Sequence, residues 1–231
     1  MRRYERNMSA LSKEENDKLH TYRVCIVGCG ALGEYVVEML GRIGIGHLTI
    51  VDPDGFDETN LNRQIYSDTR VIGRSKVEVA QERMAVVNPL VEVTAISLYL
   101  DKQNALDICR GHDLIIDALD NLESRFVLQD TAQELNLPLV HGAIAGWYGQ
   151  VCTILPGDRS LDLIYGNNRD RGIEKEQGNP SFTPALVASI QVAEAIKILI
   201  GRGEILRKQL LYIDLLNQEY MVLPLVRSSR G

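Results

Sequence analysis

The sequence predicts an α/β protein: a doubly wound, Rossmann-like sheet, parallel in its N-terminal part and continued by antiparallel strands in its last third. Three observations predict it. Residues 23–52 read as strand, glycine turn, helix, strand and acid, the order of a βαβ unit. Strand-like and helix-like segments keep alternating to residue 141, which implies parallel strands joined by crossover helices. The last third then has strands without helices between all of them, which suits antiparallel additions to the same sheet.

The elements follow in order. Residues 1–22 are polar and helix-permissive, an arm in front of the fold. Residues 23–27 (RVCIV) lack polar alternation, as in a strand buried on both faces, and lead directly into Gly28-Cys-Gly-Ala-Leu-Gly33. Residues 34–43 carry apolar side chains at helical spacing, and 47–52 form a second strand ending in Asp52. Residues 53–67 read as a long loop with a short helical turn. A helix is expected over 74–88, stopped by Pro89, then a strand at 91–96, a short helix at 102–110, a buried strand at 113–117 and a helix at 122–136. Strands at 137–141 and 149–155 follow. Residues 157–183, rich in Gly, Asn, Asp and Arg, read as a long surface loop of functional character. Thr183-Pro184 opens a helix ending at Gly201, and 210–214 with 220–223 form a terminal strand pair. The expected organisation is thus an arm over 1–22, making a dimer contact, and one domain over 23–226.

Composition narrows the function. The 231 residues are 45% hydrophobic and 24% charged, with 25 Lys+Arg against 31 Asp+Glu and a formal charge of −6. That balance argues against a nucleic-acid partner held by bulk charge. No apolar run approaches the ~20 residues of a membrane span, and no hydrophobic segment follows the basic start, so neither a membrane partner nor a secretory signal is expected. Cys25, Cys29, Cys109 and Cys152 form no C-x-x-C pair and read as reduced thiols of a cytoplasmic protein. They suit buried small hydrophobes, Cys29 in the glycine loop being the one whose reactivity merits a test. His20, His47, His112 and His141 are dispersed and read as surface or core residues.

The chemistry begins at Gly28-x-Gly30-x-x-Gly33. The first glycine permits a tight turn, the second lets a nucleotide approach the backbone, the third lets helix and strand pack closely, and the helix N-terminus favours anions. The same spacing also suits a close-packed turn without ligand. Asp52 ends the second strand, where a carboxylate can accept ribose hydroxyls; its plainer role is a turn residue before Pro53. These features fit an NAD-dependent oxidoreductase and an ATP-using enzyme equally. Arg63, Lys76 and Asp120 favour the latter. Two cations could neutralise β- and γ-phosphates, and a carboxylate could hold Mg²⁺, whereas a redox coenzyme needs neither.

The sequence resembles the ThiF/MoeB/HesA family, bacterial relatives of ubiquitin-activating enzymes, from about residue 3 to 223. The resembling stretches are RYER (3–6), VGCGALG (27–33), GIGHLTIVDPDGFDETNLNRQI (44–65), VIGRSK (71–76), NP (88–89), the DALDN ending at 121, GWYGQ (146–150) and QVAEAIK (191–197). The N-L-x-R-Q element with the following Lys and D-N is far more specific than the glycines. The resemblance implies that ATP and Mg²⁺ adenylate the C-terminal glycine carboxylate of a small ubiquitin-like carrier protein ending in Gly-Gly, ThiS- or MoaD-like, with release of pyrophosphate. By position, Gly28, Gly30, Ala31 and Gly33 would face the nucleotide and Asp52 the ribose. Asn60, Arg63, Gln64 and Lys76 would contact phosphates. Asp120 would bind the metal, with Asn121 beside it. Arg6 would reach the partner subunit's ATP site in a homodimer.

The chain departs from the family pattern twice. The two C-x-x-C pairs that hold structural zinc in many members are missing, so zinc is not expected. The cysteine that often precedes the QVAEAIK-type helix is replaced by GNPSFTP (178–184), which implies adenylation without a covalent enzyme intermediate. Trp147 and Tyr148 suit packing, or contact with a carrier tail, and the charges of 158–176 suit a solvated loop or a clamp over that tail. Activation of a peptide C-terminus or a tRNA base by the same chemistry, an NAD-dependent oxidoreductase and a non-catalytic scaffold are the competing readings.

Overall fold

The computed structural model describes residues 2–166 and 177–226. Eight strands form one sheet: β1 (Arg23–Val27), β2 (His47–Val51), β3 (Glu92–Ile96), β4 (Leu114–Asp117), β5 (Leu139–Ala145), β6 (Tyr148–Ile154), β7 (Gln209–Asp214) and β8 (Glu219–Pro224). Their order is β3-β2-β1-β4-β5-β6-β7-β8. Pairing is parallel from β3 to β5 and antiparallel from β5 to β8. The helices are α1 (Lys13–Lys18), α2 (Ala31–Ile43), α3 (Lys76–Val87), α4 (Ala105–Cys109), α5 (Leu122–Glu134), α6 (Ser160–Tyr165) and α7 (Phe182–Ile200).

The uninterrupted apolar strands follow from burial on both faces. Val24 and Ile26 of β1 face one core, with α2, α3 and α7, while Cys25 and Val27 face the other, with α4, α5 and α6. The chain leaves β1 toward β2 on one side, while β4 lies on the other. Loops following β1 and β4 therefore diverge and leave a crevice at the carboxyl ends of the strands, the place where such sheets bind ligands.

Three features add to or depart from the expected layout. The part of the expected 157–183 loop that is described is not all loop, since α6 forms at 160–165 and buries Leu161 completely. The remainder of that stretch, 167–176, with the clamp expected there, lies outside the described residues. The expected arm over 1–22 is anchored to its own domain. Its Arg3 guanidinium donates to the Asn88 side chain and the Val87 carbonyl, the buried Asn88 amide donates to the Tyr4 hydroxyl at 2.8 Å, and Leu19 is fully buried. Third, α7 is long and apolar enough by composition to cross a bilayer; it lies half-buried against β4, β5, β6 and α2.

The polar residues of α7 hold the sheet together. The buried Gln191 amide donates to the carbonyls of Asp117 (2.8 Å) and Val140 (3.2 Å), on β4 and β5. One helical turn on, buried Glu194 accepts from Thr153 Oγ1 at 2.6 Å and from the Leu206 N–H at 2.7 Å, with Lys197 as its ion-pair partner. These buried bonds fix which strands α7 covers.

Candidate functional site

A cavity of about 700 Å³ opens where β1, β2 and β4 end. Its floor is the glycine loop. Gly28 has φ of +99°, and a Cβ there would lie 2.4 Å from the Ala118 carbonyl oxygen. A Cβ on Gly33 would lie 1.9 Å from the Gly28 carbonyl oxygen. Both positions therefore exclude any side chain, Gly28 for its left-handed turn as well. Gly30 caps α2 and has space above it, the nearest atom to its missing Cβ being Gln64 Nε2 at 3.7 Å.

Ten of the twelve residues singled out from sequence line this one cavity: Gly28, Gly30 and Ala31 from the first loop; Asp52; Asn60, Arg63 and Gln64; Lys76; Asp120 and Asn121. Gly33 is not on its wall; it packs against Gly28 instead. Arg6 is exposed in the arm, outside the cavity of its own chain.

Each lining group has a local cause. Asp52 is buried and doubly fixed, Oδ2 accepting the Cys29 N–H at 2.6 Å and Oδ1 the Asp54 N–H at 2.9 Å. Burial raises its carboxyl pKa, and Lys76 opposes that. Asn60 closes a capping box with Asp57. Arg63 is held by the Thr59 carbonyl at 2.7 Å and by Asn62 Oδ1 at 2.8 Å. Gln64 is buried, and its Oε1 meets no hydrogen-bond partner among the described residues. Lys76 begins α3 with a buried side chain whose Nζ lies 3.1 Å from Oδ2 of the exposed Asp54. Asp120 is exposed, and the Asn121 side chain caps α5 by accepting from the Ser124 N–H at 2.9 Å.

The site contains supports that sequence reasoning missed. Asp117 is completely buried at the end of β4. Its Oδ1 accepts the Leu119 N–H at 3.0 Å, and its Oδ2 lies 2.6 Å from Nδ1 of buried His141. Burial pushes the His141 pKa down, and the adjoining Asp117 carboxylate opposes that. Arg125, also buried, donates to the Leu119 carbonyl and to the Tyr165 hydroxyl at 3.2 Å. The corner bearing Asp120 is thus gripped by a buried acid and a buried guanidinium. The available signal was Asp117 and His141 in successive buried strands, which parallel pairing sets opposite each other. A second support is Glu34, fully buried on α2, whose carboxyl burial raises to about 8.

A glycine turn opening a helix at the switch point of a largely parallel sheet, with an acid ending the neighbouring strand, defines a Rossmann-like α/β protein. The ThiF family model matches residues 4–230, and the chain belongs to that family. It is 35% identical over 99% of its length to the sulfur carrier protein adenylyltransferase of Thermus thermophilus, covering 88% of that protein. It is 32% identical over 96% of its length to the SAMP-activating enzyme E1 of Haloferax volcanii, covering 84%. Among solved structures, E. coli MccB with AMPCPP and MccA superposes with a TM-score of 0.83 at 22% identity, over 99% of this chain and 73% of that one; this likeness is one of fold. The chain is an adenylyltransferase.

Proposed function

We infer that this protein uses Mg²⁺ and ATP to adenylate the C-terminal glycine carboxylate of a small ubiquitin-like sulfur-carrier protein ending in Gly-Gly. One observation carries the reading: Arg63, Lys76 and Asp120 line the same cavity as the glycine loop and Asp52. An adenosine-bearing redox coenzyme does not call for two cations and a free carboxylate; a triphosphate with its metal does.

Asp52 receives the ribose, its carboxylate already oriented by two backbone N–H groups. The N-terminus of α2 receives phosphate oxygens. Asn60, Arg63, Gln64 and Lys76 contact the phosphates, and Lys76 exchanges exposed Asp54 for them. Asp120 and Asn121 form the metal side of the site. A hard divalent cation held by one carboxylate and substrate phosphates suits a lone acid here, and when bound it supplies charge neutralisation. The carrier carboxylate oxygen then attacks the α-phosphorus. The bond from that phosphorus to the bridging oxygen breaks, pyrophosphate leaves, and an acyl-adenylate remains. All four cysteines are buried, which supports a route with no enzyme thioester.

Exposed Trp147 and Phe182 lie with ring centroids 4.6 Å apart and planes tilted by 47°, and the turn carrying Trp147 is bonded through Gly146 to Gly178 on the cavity wall. This apolar rim suits a carrier tail entering the cavity. An apolar groove lined by Leu11, Ile43, Val192, Ala193, Ile196 and Ile200 suits a second copy of the chain, whose Arg6 would complete the site. The test is carrier-dependent ATP–pyrophosphate exchange with candidate Gly-Gly-terminated proteins. Exchange with one carrier and none without it supports the reading; exchange with none of them, or nicotinamide binding in the cavity, refutes it.

A further inference from the structure

Glu34 has no role in the reading above, yet it is a fully buried carboxyl at the head of α2, immediately after the glycine loop. Its Oε2 accepts the Tyr66 N–H at 2.7 Å. One turn along α2, Glu38 Oε2 accepts the Tyr66 hydroxyl at 3.1 Å, and Arg42 and Arg83 hold Glu38 in turn. Tyr66 is thereby clamped at its backbone and at its ring to the helix that starts at the glycine loop. Gln64 and Arg63 lie two and three residues upstream, in a run of tight turns in which the Gln64 and Arg63 N–H groups both bond to the Asn60 carbonyl. This clamp adds to the approach of Gln64 Nε2, 3.7 Å from the position a Cβ would take on Gly30.

The second oxygen, Oε1, is buried and has no hydrogen-bond partner among the described residues. The charged and titratable groups around Glu34 are Lys76 from α3, Asp52 from the end of β2, Cys29 from the glycine loop, Tyr66 from the clamped segment and Tyr35 on its own helix. Lys76 is thus shared among three carboxyls, those of Glu34, Asp52 and Asp54. An anion with an unsatisfied oxygen in such a place costs far more than a neutral acid, and it would set a negative charge behind a triphosphate.

We propose that Glu34 is a positioning residue that holds Arg63 and Gln64 in register with the glycine loop, and that it does so as a neutral carboxylic acid when nucleotide is bound. The carbonyl oxygen of a neutral acid keeps the Tyr66 bond without opposing the phosphates. The proposal rests on the ATP reading given above. Burial raises the free carboxyl to about 8, so binding of the anionic Mg-nucleotide takes up a proton near that pH.

The test is calorimetric binding of Mg-AMPCPP, with no turnover, between pH 7.5 and 9 in two buffers of different ionisation enthalpy; the triphosphate itself is fully ionised in that range. The wild type is expected to take up a fraction of a proton and to lose affinity toward alkaline pH, by at most about tenfold per pH unit. Glu34→Gln keeps the carbonyl acceptor and should abolish both the proton uptake and the slope. Glu34→Ala should weaken binding about tenfold or more throughout. A wild-type slope unchanged in E34Q, or E34A binding as tightly as wild type, overturns the proposal. Absence of nucleotide binding by the wild type at every pH would instead overturn the ATP reading, and the proposal with it.

Discussion

Replacing Glu34 by Gln should change how stability varies with pH, apart from any ligand. The ordinary glutamate pKa of 4.5 rises to about 8 in the fold, chiefly because the carboxyl is buried. Between those limits the folded chain holds a proton that the unfolded chain has released. Stability from this group is therefore complete below pH 4.5 and drains away as pH rises toward 8. At pH 7 the loss is ~3 kcal/mol, at about 1.4 kcal/mol per pH unit. The Gln side chain has the shape of the neutral acid and no proton to lose. E34Q should match the wild type near pH 4.5 and exceed it at pH 7 by that ~3 kcal/mol, which is a melting temperature higher by roughly 6–12 °C for a chain of this size. Thermal unfolding of both proteins followed by circular dichroism from pH 4.5 to 8.5 reads the difference directly. A difference that stays constant over the range would mean that Glu34 ionises normally, and the case for a neutral buried acid would fail.

Asp120→Ala should lower carrier-dependent pyrophosphate exchange by 100-fold or more while moving the melting temperature by less than about 2 °C, since the side chain is exposed; full activity would remove the metal role from this residue. Gly33→Ala forces a Cβ to 1.9 Å from the Gly28 carbonyl oxygen, so it should cost roughly 2–3 kcal/mol in chemical denaturation and abolish nucleotide binding. Tyr165→Phe removes a hydroxyl 3.1 Å from His141 Nε2 and 2.6 Å from Gln150 Nε2, at a cost of about 1–2 kcal/mol by the same assay. Cys29 should be inert in the native protein. Its thiol is fully buried, and burial together with Glu34 and Asp52 pushes its pKa well up, so titration with an aromatic disulfide should find no fast thiol until denaturant exposes all four.

The parts of the fold that could be read from sequence are those with a strong period. β1, the glycine loop and α2 are written in consecutive residues, and the strand-helix alternation fixes a parallel sheet through general rules of chain connection. α6 could not be read, because one and a half turns containing a single fully buried side chain, Leu161, leave no helical period among polar neighbours. How the arm is anchored was hidden for a related reason: its contacts come from Tyr4, Leu11 and Leu19 spread through polar sequence. In the site, motif spacing identified the side chains that face the cavity, whereas the groups beneath them escaped. Asp117 with His141, and Glu34 with Tyr66, are pairs 24 and 32 residues apart, and only register or tertiary packing brings them together. A buried acid in an amphipathic helix resembles any surface glutamate until the opposite wall is known.

The sheet also carries a history of assembly. Its C-terminal edge closes with a hairpin between near neighbours, such as Asp214 with Glu219, while its centre joins Val24 to Leu114 across some ninety residues. Contacts of such different span form at different rates, the local ones first and the distant pair only after a large loop has closed. The crevice sits on the seam made by that distant pair. A molecule with its hairpins formed but its central seam open has no crevice for a ligand, so nucleotide stabilises only molecules in which β1 and β4 have paired.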